Sequence, residues 1–316
     1  MSLRRFIVRR LLSIIPILLG VSLVTFGLAN LAPGDAIDLL VSFNPNISPT
    51  EIAQIKARYN LDEPVWSRYL IWLTNALQGD FGVVISSNQP VADVVVSRLP
   101  PTVVLGFLGW LIALIIAIPT GIYAAVNKDQ LGDDVSRVLA LSGISIPNFW
   151  LGLMLILIFA VWLNFFPVLS PQEPLLSPDM LWFLILPGIT IGTAASATLM
   201  RIMRSSMAEE LNKEYVTAAR AKGLPERTVI LNHVLRNSLI SVPTVAAFLT
   251  ANILAGSVVV ETVFGWPGLG RELVRAVVGR EINLIMAITL FTGLALIIAN
   301  LLADIAYAVL DPRIRY

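Results

Sequence analysis

The sequence predicts an all-α integral membrane protein with six membrane-crossing helices and both termini inside, and three observations carry that prediction. Hydrophobic residues make up 56% and charged residues 14% of the 316-residue chain, with mean hydropathy +0.80. Soluble domains carry about 25% charged residues, and so few could not cover a globular surface. Reading between charged residues leaves six windows, 11–34, 99–127, 138–172, 180–200, 237–260 and 282–303. Each can cross, because a spanning helix needs about 20 apolar residues. The 22 Lys and Arg residues divide as 15 on inward connections and 7 on outward ones. Four of the outward set lie in the long segment 35–98, and long loops translocate largely regardless of charge. That asymmetry orients the chain.

Residues 1–34 hold the N-terminus and the first helix. Arg4, Arg5, Arg9 and Arg10 resemble the head of a signal peptide. The apolar run from Leu11 to Ala32 exceeds the about 7–15 residues of a signal core, so an uncleaved first helix is expected. The outer segment 35–98 follows. Ser48-Pro49-Thr50-Glu51 reads as a capping box with proline at the first helical position, opening a helix to about Tyr59. A second helix from Pro64 places Trp66, Tyr69, Leu70, Leu73 and Leu77 at helical spacing on one apolar face. The pair suits a small amphipathic hairpin packed on the bundle or lying on the membrane, or a docking platform.

Residues 99–310 form a five-helix core with spans at 99–125, 138–163, 182–203, 238–260 and 283–308, and 311–316 is an inward tail. In window 138–172, Asn164, Pro167, Ser170 and Pro171 break the second half, which leaves one helix over 138–163. Small residues recur every fourth position in four spans: Gly109, Ala113, Ala117, Gly121 and Ala125; Gly188, Gly192 and Ser196; Ala247, Ala251 and Ala255; Ala295, Ala299 and Ala303. Such ladders lie on one helix face and let backbones approach closely in lipid. Asn148, Thr190, Thr193, Ser196, Asn252, Ser257 and Asn300 are the polar residues placed to line a path, with helix–helix hydrogen bonding as the alternative.

Several functions are excluded. Cys is absent, and His233 is the single histidine, so no thiolate, Cys-ligated or multi-histidine metal site exists. The near balance of charge provides no nucleic-acid surface. No Gly-Lys pair occurs, so there is no phosphate-cradling loop for a nucleotide. The six windows contain no Lys, Arg, Asp, Glu or His, which argues against an ion-driven carrier. The glycine-rich stretch Gly265 to Gly270 reads as a turn-forming loop.

The inward loop 204–237 is patterned as two helices. The first runs from Glu209 to Lys222, with Gly223 following as a residue able to take positive φ. Pro225 opens a second helix to about Asn237, with Val229, Ile230, Val234 and Leu235 on an apolar face. Ala218, Ala219 and Ala221 make a stiff rod of little bulk, able to enter a groove on a partner. Alternatively, Arg220 and Lys222 serve only to fix topology.

The run Ala218-Ala219-x-x-x-Gly223, followed by His233-x-Leu235-Arg236-Asn237, resembles the E-A-A-x-x-x-G-x9-I-x-L-P loop of permease subunits in ATP-binding-cassette importers. Glu214-Tyr215-Val216-Thr217-Ala218-Ala219-Arg220-Ala221-Lys222-Gly223-Leu224 is similar to the version in the dipeptide/oligopeptide/nickel permease family, with Thr217, His233 and Arg236 replacing Glu, Ile and Pro. Ala32-Pro33-Gly34-Asp35, Tyr59-Asn60-Leu61-Asp62-Glu63-Pro64, Gly79-Asp80-Phe81-Gly82, Arg98-Leu99-Pro100-Pro101-Thr102 and Glu261-Thr262-Val263-Phe264 through Gly270 resemble further family segments in order. The resemblance implies the type I importer permease fold and the first (B-type) permease role. A second homologous permease, two cytoplasmic ATPases that hold ATP and Mg, and an extracytoplasmic substrate-binding protein would be its partners in a bacterial or archaeal inner membrane. Residues 214–222 would be the coupling helix, about 13 Å long, with Glu214, Tyr215, Thr217, Ala218, Ala219, Arg220, Lys222 and Gly223 at the ATPase surface. Gly268, Arg271, Glu272 and Arg275 would meet the binding protein. The implied cargo is a di- or oligopeptide, with nickel or glutathione as the family alternative. An ion-driven secondary transporter is the reading from another class.

Overall fold

A computed structural model describes residues 3–31, 34, 36–37, 41, 48–58, 61–171, 173–239 and 242–310. The described residues are almost wholly helical. In chain order they form α1 (Leu3–Leu31), α2 (Pro49–Arg58), α3 (Val65–Leu77), α4 (Val91–Val126), α5 (Leu131–Ser145), α6 (Asn148–Trp162) and α7 (Pro178–Leu211). Then come α8 (Glu214–Ala221), α9 (Glu226–Thr228 continuing through a π-turn into Leu235–Ser238), α10 (Val242–Phe264), α11 (Leu269–Val278) and α12 (Ile282–Leu310). Four helices are long and apolar enough to cross a membrane, and six crossings are reached when α5–α6 and α10–α11 each count as one broken span. Of the expected Ala32–Asp35 turn only Gly34 is described, with φ +83°; Ala32, Pro33, Asp35 and the tail 311–316 lie outside the described residues.

The helices group into two compact units, one of residues 1–6, 103–266 and 298–316, the other of residues 7–102 and 267–297. In the first unit, two of the small-residue ladders meet. A methyl built on Gly192 would sit 2.8 Å from the Gly109 carbonyl oxygen, and one on Gly188 would sit 2.9 Å from Leu108 and Ile112. One on Gly121 would sit 2.7 Å from Met203. The α4–α7 seam is therefore a backbone-to-backbone approach that only glycine permits. Phe183 stacks on Trp266 at 5.9 Å and meets Phe264 edge-on at 6.4 Å, closing one end of the core. The Ala247–Ala251–Ala255 ladder does not form a seam among the described side chains, because Ala255 is exposed. Leu249, Ile253, Ser257, Val260 and Phe264 are buried there instead.

One span differs from its expectation. Residues 138–163 are not one helix: α5 ends at Ser145, α6 begins at Asn148, and the chain bends by 102° between them. Pro147 is the cause, since it has no N–H to donate and holds Ile146 extended at φ −79°, ψ 123°. Helix α5 also starts earlier than expected, at Leu131, with Asp133 and Asp134 in its first turn where the helix dipole favours them. The loop after α6 is pinned by the Trp182 indole donating to the Phe165 carbonyl at 2.8 Å.

In the second unit, the expected capping box is present: the Glu51 N–H donates to Ser48 Oγ at 3.2 Å, and the Ser48 N–H donates to the Glu51 carboxylate at 2.9 Å. Tyr59 and Asn60 lie outside the described residues. Helix α3 packs through Tyr69, Trp72, Leu73 and Ala76 against Phe26 of α1 and Met286 of α12. Trp66, Leu70 and Leu77, expected on that packed face, are exposed instead. Helix α4 begins eight residues before its expected start at 99, because Val91 and Val95 bury against Leu269, Leu284 and Ile288. The buried Glu281 carboxylate accepts the Ile85 and Ser86 N–H groups, each at 2.8 Å, and so ties the turn after α3 to the start of α12.

Candidate functional site

Helix α7 runs on past the apolar window to Leu211, and Asn212 and Lys213 then break the chain before α8. The expected single helix over 209–222 is thus the end of α7 followed by a separate rod of eight residues, about 12 Å long. Val216 and Ala219, three apart, turn inward onto Met203 and Met207 of α7 and Val229 and Val234 of α9. Glu214, Thr217, Ala218, Arg220, Ala221 and Lys222 are exposed, and Tyr215 is half-buried. Ala219 therefore belongs to the packing of the rod and not to its outer surface.

Both ends of α8 are fixed. Gly223 takes φ +74°; its N–H donates to the Arg220 carbonyl at 2.9 Å, and the Leu224 N–H reaches the Ala219 carbonyl at 3.4 Å. That pairing is a Schellman cap, and the positive φ is what glycine provides. Arg220 donates to both oxygens of Glu226 at 3.1 and 2.6 Å, which holds the Glu226 carboxyl below its ordinary pKa and staples α8 to α9. At the other end, the Tyr215 hydroxyl donates to Glu210 at 2.6 Å, and Lys213 pairs with the same carboxylate. Burial pushes the Tyr215 phenol up, and the Glu210 hydrogen bond adds to it. His233 sits half-buried in the π-turn of α9.

A second feature lies at the start of α5, beside the C-terminal part of α7. Asp133, fully buried at the start of α5, accepts Arg204 Nε at 2.5 Å and a second Arg204 nitrogen at 2.6 Å. The Asp129 N–H adds a third bond at 3.1 Å. The Arg204 hydrogen bond lowers the Asp133 carboxyl to about 2, against the opposing effect of burial. The pair clamps the α4–α5 connection to α7 one turn above Met207. In the sequence Arg204 is one of the inward Lys and Arg residues and Asp133 carries no signal of its own, since no local spacing links positions 71 apart.

The residues expected to line a path are mostly self-satisfied. Thr190, Thr193, Ser196 and Ser257 donate to carbonyls of their own helices, those of Leu186, Ile189, Thr193 and Leu254, at 2.6–2.8 Å. Asn148 is half-buried at the start of α6, beside Gly256 of α10, and Asn300 is half-buried. The Asn252 side chain lies outside the described residues. Of the outer candidates, Gly268 is buried as the residue preceding α11, while Arg271 and Glu272 are half-buried and Arg275 is exposed. Glu272 sits between Arg98 at 3.8 Å and Arg275 at 3.6 Å. Burial, reinforced by Arg275, lowers the Arg271 pKa.

Among the described residues the chain is helical, with four to six segments able to cross a membrane and an exposed, capped rod between α7 and α9. Residues 117–316 match the family described as binding-protein-dependent transport system inner membrane component, and residues 3–106 match the N-terminal part of such components. The chain belongs to this family, as a multi-pass permease component of the cell membrane. It is 39% identical to the oligopeptide transport system permease protein AppB of Bacillus subtilis, over 98% of this chain and 99% of that one. It is 37% identical to the dipeptide transport system permease protein DppB of Escherichia coli, over 99% of each. It is 38% identical to the glutathione transport system permease protein GsiC of Escherichia coli, over 98% of this chain and 99% of that one. The fold matches a chain of the inward-facing MetNI methionine ABC transporter with TM-score 0.58 and 14% identity, covering 69% of this chain and 96% of that one.

Proposed function

We propose that the chain is the first permease subunit of an ATP-driven importer and forms half of the pathway for di- or oligopeptides. The observation that carries this reading is the near full-length identity to relatives named for oligopeptide and dipeptide transport. The chain crosses the membrane six times with both termini inside, and it pairs with a different, homologous permease. It does no chemistry: ATP and Mg are held by two cytoplasmic ATPases, and an extracytoplasmic binding protein delivers cargo. Helix α8 is the lever, offering Glu214, Thr217, Ala218, Arg220 and Lys222 to the ATPase while Val216 and Ala219 root it on α7 and α9. Movement of the ATPases then passes through a rigid foot into α7, a form of rigid-body switching. Thr193, Ser196 and Ser257, with hydroxyls bonded along their own helices, offer a neutral face past which a peptide backbone slides without being held. A glutathione-type cargo is the second reading, favoured by the identity to GsiC.

The test is uptake by the assembly purified from native membranes and placed in liposomes. ATP-dependent accumulation of a labelled di- or oligopeptide, with two ATPases and a second permease co-purifying, is expected. Uptake by this chain alone on an ion gradient overturns the reading. Within the assembly, Ala218→Trp is expected to cut binding-protein-stimulated ATPase activity and uptake together by about tenfold or more, as added bulk in a closely packed contact does. Its thermal stability should stay at the wild-type value.

A further inference from the structure

We propose that α3 is immersed in the lipid of the outward leaflet, with Trp66, Leu70 and Leu77 lying against acyl chains. The proposal rests only on α1 and α12 crossing the membrane, and is independent of cargo. At 100° per residue, Trp66, Leu70 and Leu77 fall on one narrow stripe of α3. They are 69%, 51% and 80% exposed, while Tyr69 and Trp72 turn inward.

Depth decides what covers that stripe. The apolar span Leu12–Leu31 of α1 centres between Val21 and Ser22, and the span Ile282–Leu302 of α12 centres on Thr292. At 1.5 Å rise per residue, Phe26 stands about 7 Å and Met286 about 9 Å from the midplane, on the side of the outer segment. Trp72 packs on both, and Tyr69 reaches further in, its ring 5.4 Å from Phe26 and its hydroxyl 2.9 Å from Ser22 Oγ. The hydrocarbon extends about 15 Å from the midplane, so the packed face of α3 lies inside it. The stripe is continuous in character with exposed Leu23 and Leu28 of α1 at the same level, and Trp66, one turn before Tyr69, is its deepest member.

The opposite face of α3 explains why a helix would stand there. Arg68 and Asn75, with Asp80, Arg280 and Asn283, line a cavity of about 340 Å³. Arg280 adopts φ +55°, an unusual conformation for that side chain. Helix α3 thus forms a wall, with lipid on one side and a cavity of mixed polar and apolar lining on the other.

The chain contains no cysteine, so each introduced thiol is unique within it, and thiols of the partner subunits are blocked or replaced beforehand. Leu70→Cys, Leu77→Cys and, as the cavity-side reference, Asn75→Cys are labelled with bimane in the complete transporter in phosphatidylcholine vesicles. Doxyl-labelled phosphatidylcholine is expected to quench the labels at 70 and 77 at least about threefold more than the label at 75, as for apolar faces inserted among acyl chains. Aqueous iodide is expected to show the reverse order. Iodide quenching at 70 and 77 would place α3 above the bilayer and overturn the proposal. Protection from both quenchers would assign the stripe to a protein partner and overturn it equally.

Discussion

Helices α1 and α7 are both long and apolar enough to cross the membrane, yet 11% of the apolar window of α1 is buried within the chain, against 72% of that of α7. The less buried helix is the more apolar one, with mean hydropathy 2.3 against 1.6. In water the order would be reversed. In lipid, apolar side chains gain nothing by leaving the acyl chains, and association depends on how closely backbones can meet. Helix α7 offers Gly188, Gly192, Ala195 and Ser196 to its neighbours, whereas Gly20 and Gly27 of α1 have open space where a side chain would stand. Small residues therefore mark a seam only where a second helix answers them.

The sharpest break of that contrast is a glycine-to-leucine exchange in each helix. Gly192→Leu must displace the Gly109 carbonyl and is expected to cost about 3 kcal/mol or more, the upper range for overpacking. Gly27→Leu should stay within about 0.5 kcal/mol, as open surface positions do. Thermal unfolding in detergent, followed by tryptophan emission, reads both; equal losses would remove the distinction between the two helices.

A smaller effect separates the seam of α7 from its inward clamp. Arg204→Ala leaves the buried Asp133 carboxylate without its main partner and is expected to cost about 3 kcal/mol at neutral pH, or less, as Arg204 is partly exposed. The sign with pH is fixed by the depressed carboxyl. Asp133 falls from 3.8 to about 2 in the folded chain, so the pair's contribution is complete above about pH 4 and fades as pH drops toward 2. The wild-type advantage over Arg204→Ala should hold from pH 8 to 5 and narrow below 4. An advantage that grows on acidification would contradict the assignment.

The smallest loss above the Gly27 reference concerns Gly223, which resembles Gly27 in having open space around it but differs in its φ of +74°. Gly223→Ala is expected to cost about 1 kcal/mol through backbone strain at the cap. The same unfolding measurement should place it between Gly27→Leu and Arg204→Ala. No change would mean that the cap relaxes freely, and that the rod is not held at its C-terminal end.

Much of the molecule was legible because its signals are local. Ser48 and Glu51 announce their capping box, Gly223 its left-handed turn, and Pro225 the start of α9, each within a few residues of what it controls. The α8 rod itself was readable down to its cap, but not which of its alanines faces outward: Ala218 and Ala219 are adjacent and chemically identical. Only the packing of Met203 and Met207 decides that Ala219 turns in. The bend at Pro147 was overlooked because the apolar run continues through it, and hydropathy carries no direction.

The sequence by itself determined the solvent of this protein, its helical content and the family motifs, since composition and short-range spacing fix whether a segment can live in lipid and where its helix must start or stop. Tertiary structure alone decided the pairing of Asp133 with Arg204, of Glu281 with Ile85 and Ser86, and of Gly109 with Gly192. Those partners are far apart along the chain, and a charge or a glycine has the same appearance in sequence whether its partner is a helix, water or an acyl chain.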